Sequence, residues 1–266
     1  MSSAGVLGRI VARTRESVHQ RKQQHPIERV LAGAPTPIGR RPFGRSLARQ
    51  DRINVIAEFK RRSPSRGVIR EDLHPVRVAQ GYEIAGAAAL SVLTDAPHFG
   101  GSLEDLSEAR SATLLPTLQK DFVVDAYQIR EAWIAGADAI LLIVAVLSDL
   151  ELRNLHASAR ELGLDILVEV HDRAELRRAL AIEPAIVGVN SRDLHTMEVR
   201  IETAFELVAE IPENVIAVAE SGIRSRGEID RLRDAGYDGF LIGEHLMSAP
   251  DPRLALEELV RPEGDA

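Results

Sequence analysis

Two lysines in this chain are candidates for acid–base chemistry. The sequence has only three lysines, Lys22, Lys60 and Lys120, among 33 lysine and arginine residues. Lys60 and Lys120 follow apolar runs, in Val55-Ile-Ala-Glu-Phe-Lys60 and Leu114-Leu-Pro-Thr-Leu-Gln-Lys120. Arginine stays protonated at any workable pH, whereas burial can tune a lysine until it loses its proton. Lys60 and Lys120 therefore suit proton transfer, and the alternative is that two solvated lysines stand there by chance.

Two glutamates accompany these lysines. Glu58 lies two residues before Lys60, so both share one face of a strand and we expect them to pair. A buried ion pair contributes little to stability, which favours a functional reason for this one. Glu169 stands between Val168 and Val170. Because burial penalises an ionised carboxylate, we expect a raised pKa at Glu169, as a general acid or base near neutral pH would have.

A repeated pattern positions these residues: a short apolar run, a loop and a longer helical stretch. The runs are Ile53–Phe59, Ala88–Leu93, Leu114–Leu118, Ala137–Val146, Ile166–Val170, Ala185–Val189, Val215–Ala219 and Gly239–Ile242. The helical stretches are 75–86, 102–111, 125–135, 148–162, 172–181, 201–210, 225–235 and 252–260. Cap-like residues begin several of them, namely Ser102, Asp125, Ser148 and Ser225, and Gly86, Gly136 and Gly236 suit the left-handed turns that end three.

Eight such units predict an α/β fold, a (β/α)₈ TIM barrel. The runs are continuous rather than alternating, as expected for parallel strands buried on both faces. The alternative is an open doubly wound sheet, which would usually carry a Gly-x-Gly-x-x-Gly turn after an early strand, and the sequence has none. We expect residues 51–266 to form the barrel. Residues 1–50 would form an extension packed on it, with an amphipathic helix at 5–22 and an irregular arm at 24–50.

Five of the predicted strands end in charged or amide side chains, where the catalytic groups of such barrels converge. These residues are Glu58 and Lys60, Lys120 and Asp121, Glu169 and His171, Asn190 and Arg192, and Glu220. Glycine-containing turns follow the last two strands, at 220–223 and 242–246, where barrels often bind phosphate through backbone N–H groups. The segment 63–67 is a third anion-friendly turn, or a plain surface turn.

Composition excludes several other classes. The net charge of -7 argues against a general nucleic-acid binder. The absence of cysteine excludes disulfides and thiolate metal sites, and the histidines show no metal-ligand spacing. The start of the chain has no signal-peptide pattern, and the longest apolar run, Ala139–Leu147, is shorter than the roughly 20 residues that span a bilayer. We therefore expect a cytoplasmic enzyme with neither nucleic-acid nor membrane partners.

Six segments together resemble the indole-3-glycerol-phosphate synthase family, from the N-terminal helix to about residue 249. They are Ala57-Glu-Phe-Lys-Arg-Arg-Ser-Pro-Ser-Arg-Gly67, Lys120-Asp-Phe-Val-Val-Asp-Ala-Tyr-Gln-Ile129, Val168-Glu-Val-His171, Gly188-Val-Asn-Ser-Arg-Asp-Leu194, Ala219-Glu-Ser-Gly-Ile223 and Leu241-Ile-Gly-Glu244. The resemblance implies a carboxy-lyase of tryptophan biosynthesis. Such an enzyme closes the indole ring of 1-(2-carboxyphenylamino)-1-deoxyribulose 5-phosphate with loss of carbon dioxide and water. It implies no cofactor, no metal, and a monomer or weak homo-oligomer.

The resemblance also implies residue roles. Lys120 would be the general acid at the carbonyl, Glu169 the base for dehydration, and Lys60 a partner of the substrate carboxylate that shares the acid role. Glu58 would position a lysine, and Asn190 and Glu220 would hydrogen-bond the reacting region. The remaining binding residues would be Ser63 and Arg192 at the carboxylate, Pro64, Phe99, Phe122 and Leu194 around the aromatic ring, and Ser221, Gly222, Gly243 and Glu244 at the phosphate.

Two positions depart from the family pattern. Many relatives carry a basic residue where this chain has Gln119, and many have serine where it has Glu244. A carboxylate facing a phosphate would repel it, so we expect Glu244 to contribute only its backbone, with its side chain outward. Two rival functions are a phosphoribosyl isomerase barrel and a non-catalytic, ligand-binding barrel. The segments around Ser63 and Lys120 argue against the first, and the intact acid and base residues argue against the second.

Overall fold

The computed structural model describes residues 5–27, 39–64, 66–194 and 196–261. Eight parallel strands form a closed barrel in which each strand pairs with its neighbours in the chain and the last pairs with the first. They are β1 Val55–Phe59, β2 Ala89–Leu93, β3 Thr117–Lys120, β4 Ala139–Ile143, β5 Asp165–Val170, β6 Ile186–Asn190, β7 Ile216–Glu220 and β8 Gly239–Ile242. The predicted barrel is confirmed, and the open sheet is wrong.

Helices connect the strands. They are α1 Val6–Gln24, α2 Phe43–Leu47, α3 Pro75–Ile84, α4 Ala96–Phe99, α5 Leu103–Ser111, α6 Ala126–Ala135, α7 Asp149–Glu161, α8 Arg173–Leu180, α9 Glu202–Leu207, α10 Arg226–Asp234, α11 Glu244–Ser248 and α12 Pro252–Val260. The four predicted cap residues all accept a hydrogen bond from a backbone N–H in the first turn of their helix. Gly86, Gly136 and Gly236 all have a positive φ, as predicted. No helix in the described ranges is long and apolar enough to cross a membrane.

Most predicted strands differ from the observed ones by one or two residues at an end, and three segments differ more clearly. The third strand begins at Thr117 rather than at Leu114, which is 83% exposed, because Pro116 has no N–H to donate to a ladder. The fourth strand ends at Ile143, and the rest of that apolar run forms a 3₁₀ turn, Val144–Val146. The arm was expected to be irregular, but it contains α2. Its residues 28–38 lie outside the described residues.

The apolar core has two layers because successive strand residues face opposite sides. One layer lies between the strands and the helices and contains Val55, Ala57 and Val168. The other fills the barrel and contains Ile56, Leu118, Leu141, Leu167, Val218 and Leu241. Glu58, Lys120, Glu169 and Glu220 stand two residues beyond Ile56, Leu118, Leu167 and Val218. They therefore continue the interior rows toward the carboxyl end of the barrel.

The short helix α2 closes the opposite end of the barrel. Phe43 and Leu47 are fully buried and belong to the interior layer. The backbone N–H of Gly44 donates to Asp165, which begins β5, and the Asn54 side chain donates to the Leu47 carbonyl. The barrel is therefore filled from below, and its open end is the one that carries the charged residues. The division of the chain between residues 50 and 51 stays a prediction.

A buried ion pair ties the segment before α2 to the barrel. Asp138 and Arg110 are 1% and 3% exposed, and their side chains approach to 3.0 Å. The Asp138 carboxylate also accepts the backbone N–H groups of Thr117 and Arg41, while Arg110 donates to the Gly39 carbonyl. The carboxylate thus satisfies donors from several segments at once.

We expect Asp138→Ala to lower the free energy of unfolding by about 3–5 kcal/mol, because it leaves the Arg110 guanidinium buried and unpaired. Urea-induced unfolding measures this loss. The matched control is Asp230→Ala, which removes a more exposed pair with Arg226 on α10 and should cost less than about 1 kcal/mol. Equal losses in the two variants would contradict a structural role of the buried pair.

Candidate active site

A cavity of about 480 Å³ opens at the carboxyl ends of the barrel strands. All predicted site residues except Ser63 and Pro64 line it. They are Glu58, Lys60, Phe99, Lys120, Phe122, Glu169, Asn190, Arg192, Leu194, Glu220, Ser221, Gly222, Gly243 and Glu244. Side chains that are distant in the sequence thus surround one space. Its volume suits a small-molecule ligand.

Ser63 and Pro64 are the exceptions because the chain after β1 folds back on itself. Arg62–Ser63 and Gly67–Val68 form a short antiparallel ribbon. The Ser63 hydroxyl accepts the backbone N–H of Arg66, and Pro64 is exposed. Neither residue lines the cavity in this conformation of the segment, and their contact with a ligand stays a prediction.

The Lys120 ammonium lies between two buried carboxylates at the centre of the cavity. Its Nζ donates to Glu169 Oε2 and to Glu220 Oε2, both at 2.6 Å. The three side chains come from β3, β5 and β7, which are alternate strands, as in one interior layer of such barrels. Side chains this deeply buried hold their charge only because they neutralise one another.

The pKa values of the two carboxylates are shifted in opposite directions. Burial alone would raise the pKa of Glu169, but the Lys120 ammonium and His171 outweigh it and hold this pKa well below its usual range. Burial raises the pKa of Glu220 to about 8; the Lys120 ammonium opposes this rise and the negative charge of Glu169 reinforces it. The expected raised pKa at Glu169 is therefore wrong, because the sequence pattern showed the flanking valines and not the cation that Glu169 meets across the barrel.

Lys120 remains charged despite its burial. Burial would lower the pKa of its ammonium, but Glu169, Glu220 and Glu58 outweigh burial and hold the pKa above its usual range. In this state Lys120 holds its proton more tightly than an exposed lysine does and cannot act as a base. The second lysine, Lys60, pairs with Glu58 at 2.6 Å, as their spacing predicted.

Two glycines make room for these carboxylates. A β-carbon at Gly188 would lie 2.2 Å from Glu220 Oε1, and one at Gly243 would lie 2.0 Å from Glu58 Oε1. Neither distance is tolerable between non-bonded atoms, so any side chain at these positions would displace the carboxylate. Gly243 was predicted as a phosphate-binding residue rather than as a space for Glu58. The need for glycine at position 188 could not be predicted without the fold.

The turn after β7 has an unusual backbone at the edge of the cavity. Ser221 and Gly222 have φ values of 68° and 81°. The left-handed region is rarely occupied by residues other than glycine, and such strain concentrates at functional sites. A β-carbon at Gly222 would lie 2.8 Å from Val199 Cγ1, so close packing also favours glycine there.

The Glu244 side chain does not point outward as expected. Its carboxylate lies 3.1 Å from the Arg192 guanidinium and 3.6 Å from that of Arg66, and all three residues line the cavity. Two arginines therefore hold the Glu244 carboxylate at the cavity. The outward orientation was expected only because a phosphate would repel this carboxylate. Among the residues that the structure describes, no group of three or more His, Asp or Glu side chains could hold a metal ion.

Comparison with known proteins adds the family. A family model described as indole-3-glycerol phosphate synthase matches residues 7–259. The chain belongs to the indole-3-glycerol phosphate synthase family. The indole-3-glycerol phosphate synthase of Koribacter versatilis is 55% identical over 208 residues, 78% of this chain and 80% of that one. The enzyme of the same name from Acidithiobacillus ferrooxidans is 49% identical over 257 residues, 96% of this chain and 98% of that one. The expected class, a carboxy-lyase of tryptophan biosynthesis, is confirmed with the family.

Solved structures with low sequence identity share the fold. A thiamine phosphate pyrophosphorylase from Pyrococcus furiosus is 19% identical, with a TM-score of 0.59 over 82% of this chain and 96% of that one. A mutant tryptophan synthase alpha-subunit from the same organism is 15% identical, with a TM-score of 0.60 over 77% of this chain and 97% of that one. At these identities the likeness supports the barrel alone.

The resemblance to indole-3-glycerol phosphate synthases did not single out His171, which the structure places beside the site. Its Nε2 lies 3.3 Å from Glu169 Oε1, and its Nδ1 lies 2.9 Å from Glu175 Oε2. Burial would lower the pKa of the imidazole, but the two carboxylates outweigh burial and raise it to about 10. The signal was present in the sequence, because residues 169 and 171 are two apart and an extended chain places such residues on the same side.

The departure from the family pattern at Gln119 has a local consequence. The Gln119 amide donates to the Thr94 hydroxyl at 3.0 Å, and Thr94 donates to Asp121 at 2.6 Å. Burial raises the pKa of Asp121 to about 6, against the effect of that hydrogen bond from Thr94. Asp121 in turn accepts the backbone N–H of Phe122 at 2.8 Å, so this network orients the chain directly after Lys120.

Proposed function

We propose that this cavity closes the indole ring of 1-(2-carboxyphenylamino)-1-deoxyribulose 5-phosphate and releases indole-3-glycerol phosphate, carbon dioxide and water. The observation that supports this most strongly is the Lys120 ammonium held at 2.6 Å from both Glu169 and Glu220 in the cavity. The reaction needs an acid and a base in one water-poor space, and this group of three side chains supplies both.

Ring closure uses Lys120 as the acid. The aromatic carbon that bears the carboxylate attacks the ketone carbon, and Lys120 donates a proton to the ketone oxygen as this bond forms. The carbon–carboxylate bond then breaks, and its electron pair restores the aromatic ring as carbon dioxide departs. Charge that develops on the ketone oxygen is stabilised by the same ammonium, which is already oriented by two carboxylates.

Dehydration uses Glu169 as the base. The new hydroxyl accepts a proton from Lys60, which shares the acid role, and leaves as water, while Glu169 removes a proton from the ring intermediate. Glu169 stays ionised, whereas its neighbour Glu220 retains its proton near neutral pH. Because their environments separate their pKa values, the two side chains suit opposite roles. Asn190, whose Oδ1 accepts the Arg192 backbone N–H at 3.0 Å, would hydrogen-bond the reacting region together with Glu220.

The remaining predicted residues would bind the three parts of the substrate. Lys60, oriented by Glu58, and Arg192 would hold the carboxylate, and Ser63, which does not line the cavity here, is a further candidate for this contact. Phe99 and Phe122, whose ring centroids are 6.3 Å apart, would cover the aromatic ring. Leu194 and Pro64 would complete this apolar wall, and the N–H groups of Ser221, Gly222, Gly243 and Glu244 would bind the phosphate.

A cytoplasmic location, a monomer or weak homo-oligomer, and a reaction without cofactor stay predictions. The decisive experiment mixes the protein with the proposed substrate, without added metal, and follows the fluorescence of the indole product. An increase that depends on the protein is expected. Folded protein that gives no increase would contradict the proposal and leave the isomerase and the non-catalytic ligand binder as rivals.

We expect Lys120→Arg to lower kcat by about 10²–10⁴-fold, because arginine keeps the positive charge but cannot act as an acid. Steady-state kinetics measures the loss, and inhibition by inorganic phosphate should remain. Lys22→Arg is the matched control, since Lys22 is a half-exposed lysine that pairs with Asp125 on the outer surface. Turnover of Lys120→Arg within about threefold of that of the control would refute the assigned role.

We expect Glu244→Gln to strengthen inhibition by inorganic phosphate by about three- to tenfold at low salt. The change removes a negative charge beside the phosphate site and releases Arg192 and Arg66 from their carboxylate partner. The gain should shrink above about 0.5 M salt, since such charges are then screened. Glu210→Gln, which removes a carboxylate paired with Arg173 on the outer surface, is the control. Weaker inhibition in Glu244→Gln would mean that Glu244 helps to hold the anion.

A further inference from the structure

A row of alternating charges runs from helix α8 into the cavity. Along it the side chains are Glu175, His171, Glu169, Lys120 and Glu220. The four successive distances are 2.9, 3.3, 2.6 and 2.6 Å. Three of these groups line the cavity, whereas His171 and Glu175 do not. His171 therefore influences the site only through Glu169.

Helix α8 fixes His171 in this row. Glu175, in the first turn of the helix, accepts the His171 backbone N–H at 2.9 Å with the same oxygen that faces the ring nitrogen. Asp172 caps the helix by accepting the Glu175 N–H at 2.8 Å. The imidazole is thus held at its backbone and at its ring, and its side chain is only 12% exposed.

His171 and Lys120 divide the Glu169 carboxylate between them. Oε2 accepts the ammonium of Lys120, whereas Oε1 lies 3.3 Å from the imidazole Nε2, an ion-pair contact without hydrogen-bond geometry. Positive charges beside both oxygens favour the ionised form and this orientation of the carboxylate. Glu220, by contrast, shares only Lys120, and its Oε1 has no hydrogen-bond partner among the residues that the structure describes.

We propose that His171 is a positioning residue of the reaction: its imidazolium keeps Glu169 ionised and aimed into the cavity, and so leaves the proton of the carboxylate pair on Glu220. This inference rests on the proposed role of Glu169 as the base. Without His171, Glu169 and Glu220 would compete more equally for that proton, and a larger fraction of the enzyme would lack its base as the pH falls.

Two carboxylates and one ammonium act on His171. Glu169 faces it from β5 and Glu175 from α8, and both favour the imidazolium. Lys120, from β3 beyond Glu169, opposes it. The pH dependence follows from the sign of the shift at Glu169. The group is ionised above its depressed folded pKa, so removing His171 raises this pKa and moves the loss of activity to higher pH.

The first experiment compares the pH profiles of kcat for the wild type, His171→Gln and Glu175→Gln. We expect the acid limb of His171→Gln to move upward by at least about one pH unit, so that its kcat falls further below that of the wild type as the pH is lowered, with KM nearly unchanged. Glu175→Gln should shift in the same direction by less, since it loosens the ring without removing it. His74→Gln, which removes an exposed histidine 3.6 Å from Glu108, is the control and should match the wild type.

The second experiment does not depend on activity. Long-range ¹H–¹⁵N NMR of histidine-labelled protein should show His171 doubly protonated up to about pH 8, with the signal assigned by its loss in His171→Gln. A neutral imidazole at pH 7, or profiles of His171→Gln and Glu175→Gln that are uniformly lowered without a shift, would overturn the inference. A wild type without synthase activity but with the imidazolium signal would instead refute the proposed role of Glu169.

Discussion

The site depends on one interaction, the sharing of the Lys120 ammonium by Glu169 and Glu220 inside the barrel. Each of these charges alone would be costly at this depth, because the interior layer below them is aliphatic. Lys120 and Glu169 neutralise each other, and Glu220 retains its proton near neutral pH. The alternate positions of β3, β5 and β7 bring the three side chains into one layer. Removing one member therefore leaves buried charge unpaired, so the three side chains act as a unit rather than as independent residues.

Other features of the barrel provide the space and the rigidity that this interaction requires. Glycine at 188 and 243 leaves room for the Glu220 and Glu58 carboxylates on neighbouring strands. At the opposite end, α2 covers the barrel with Phe43 and Leu47, which belong to the interior apolar layer. The cavity opens where the loops after the strands meet. There Arg192 pairs with Glu244, so an anion at the proposed phosphate site would compete with an internal carboxylate.

Much of this organisation was predictable from the sequence because it follows from local pattern. The runs, the caps and the glycine C-caps fix eight strand–helix units, and closure of the barrel then brings Glu58, Lys120 and Glu169 together. What could not be predicted depends on neighbours across the barrel. The pKa of Glu169 was expected to rise from its flanking valines, yet a cation from β3 lowers it. The direction of the Glu244 side chain likewise follows from arginines on other loops, and the position of Ser63 from a ribbon that no periodicity indicates.

The division of labour between the two glutamates can be traced to their second oxygen atoms. Both carboxylates give one oxygen to Lys120 at the same distance, so this contact cannot distinguish them. The other oxygen of Glu169 lies 3.3 Å from the His171 imidazole, an ion-pair contact without hydrogen-bond geometry, whereas that of Glu220 lies beside Gly188 without a hydrogen-bond partner among the described residues. In a coupled pair the proton belongs to the pair, and such differences decide which member holds it. A protonated Glu220 beside an ionised Glu169 is therefore a property of residues that never touch the cavity, among them the glutamate on α8 that anchors His171.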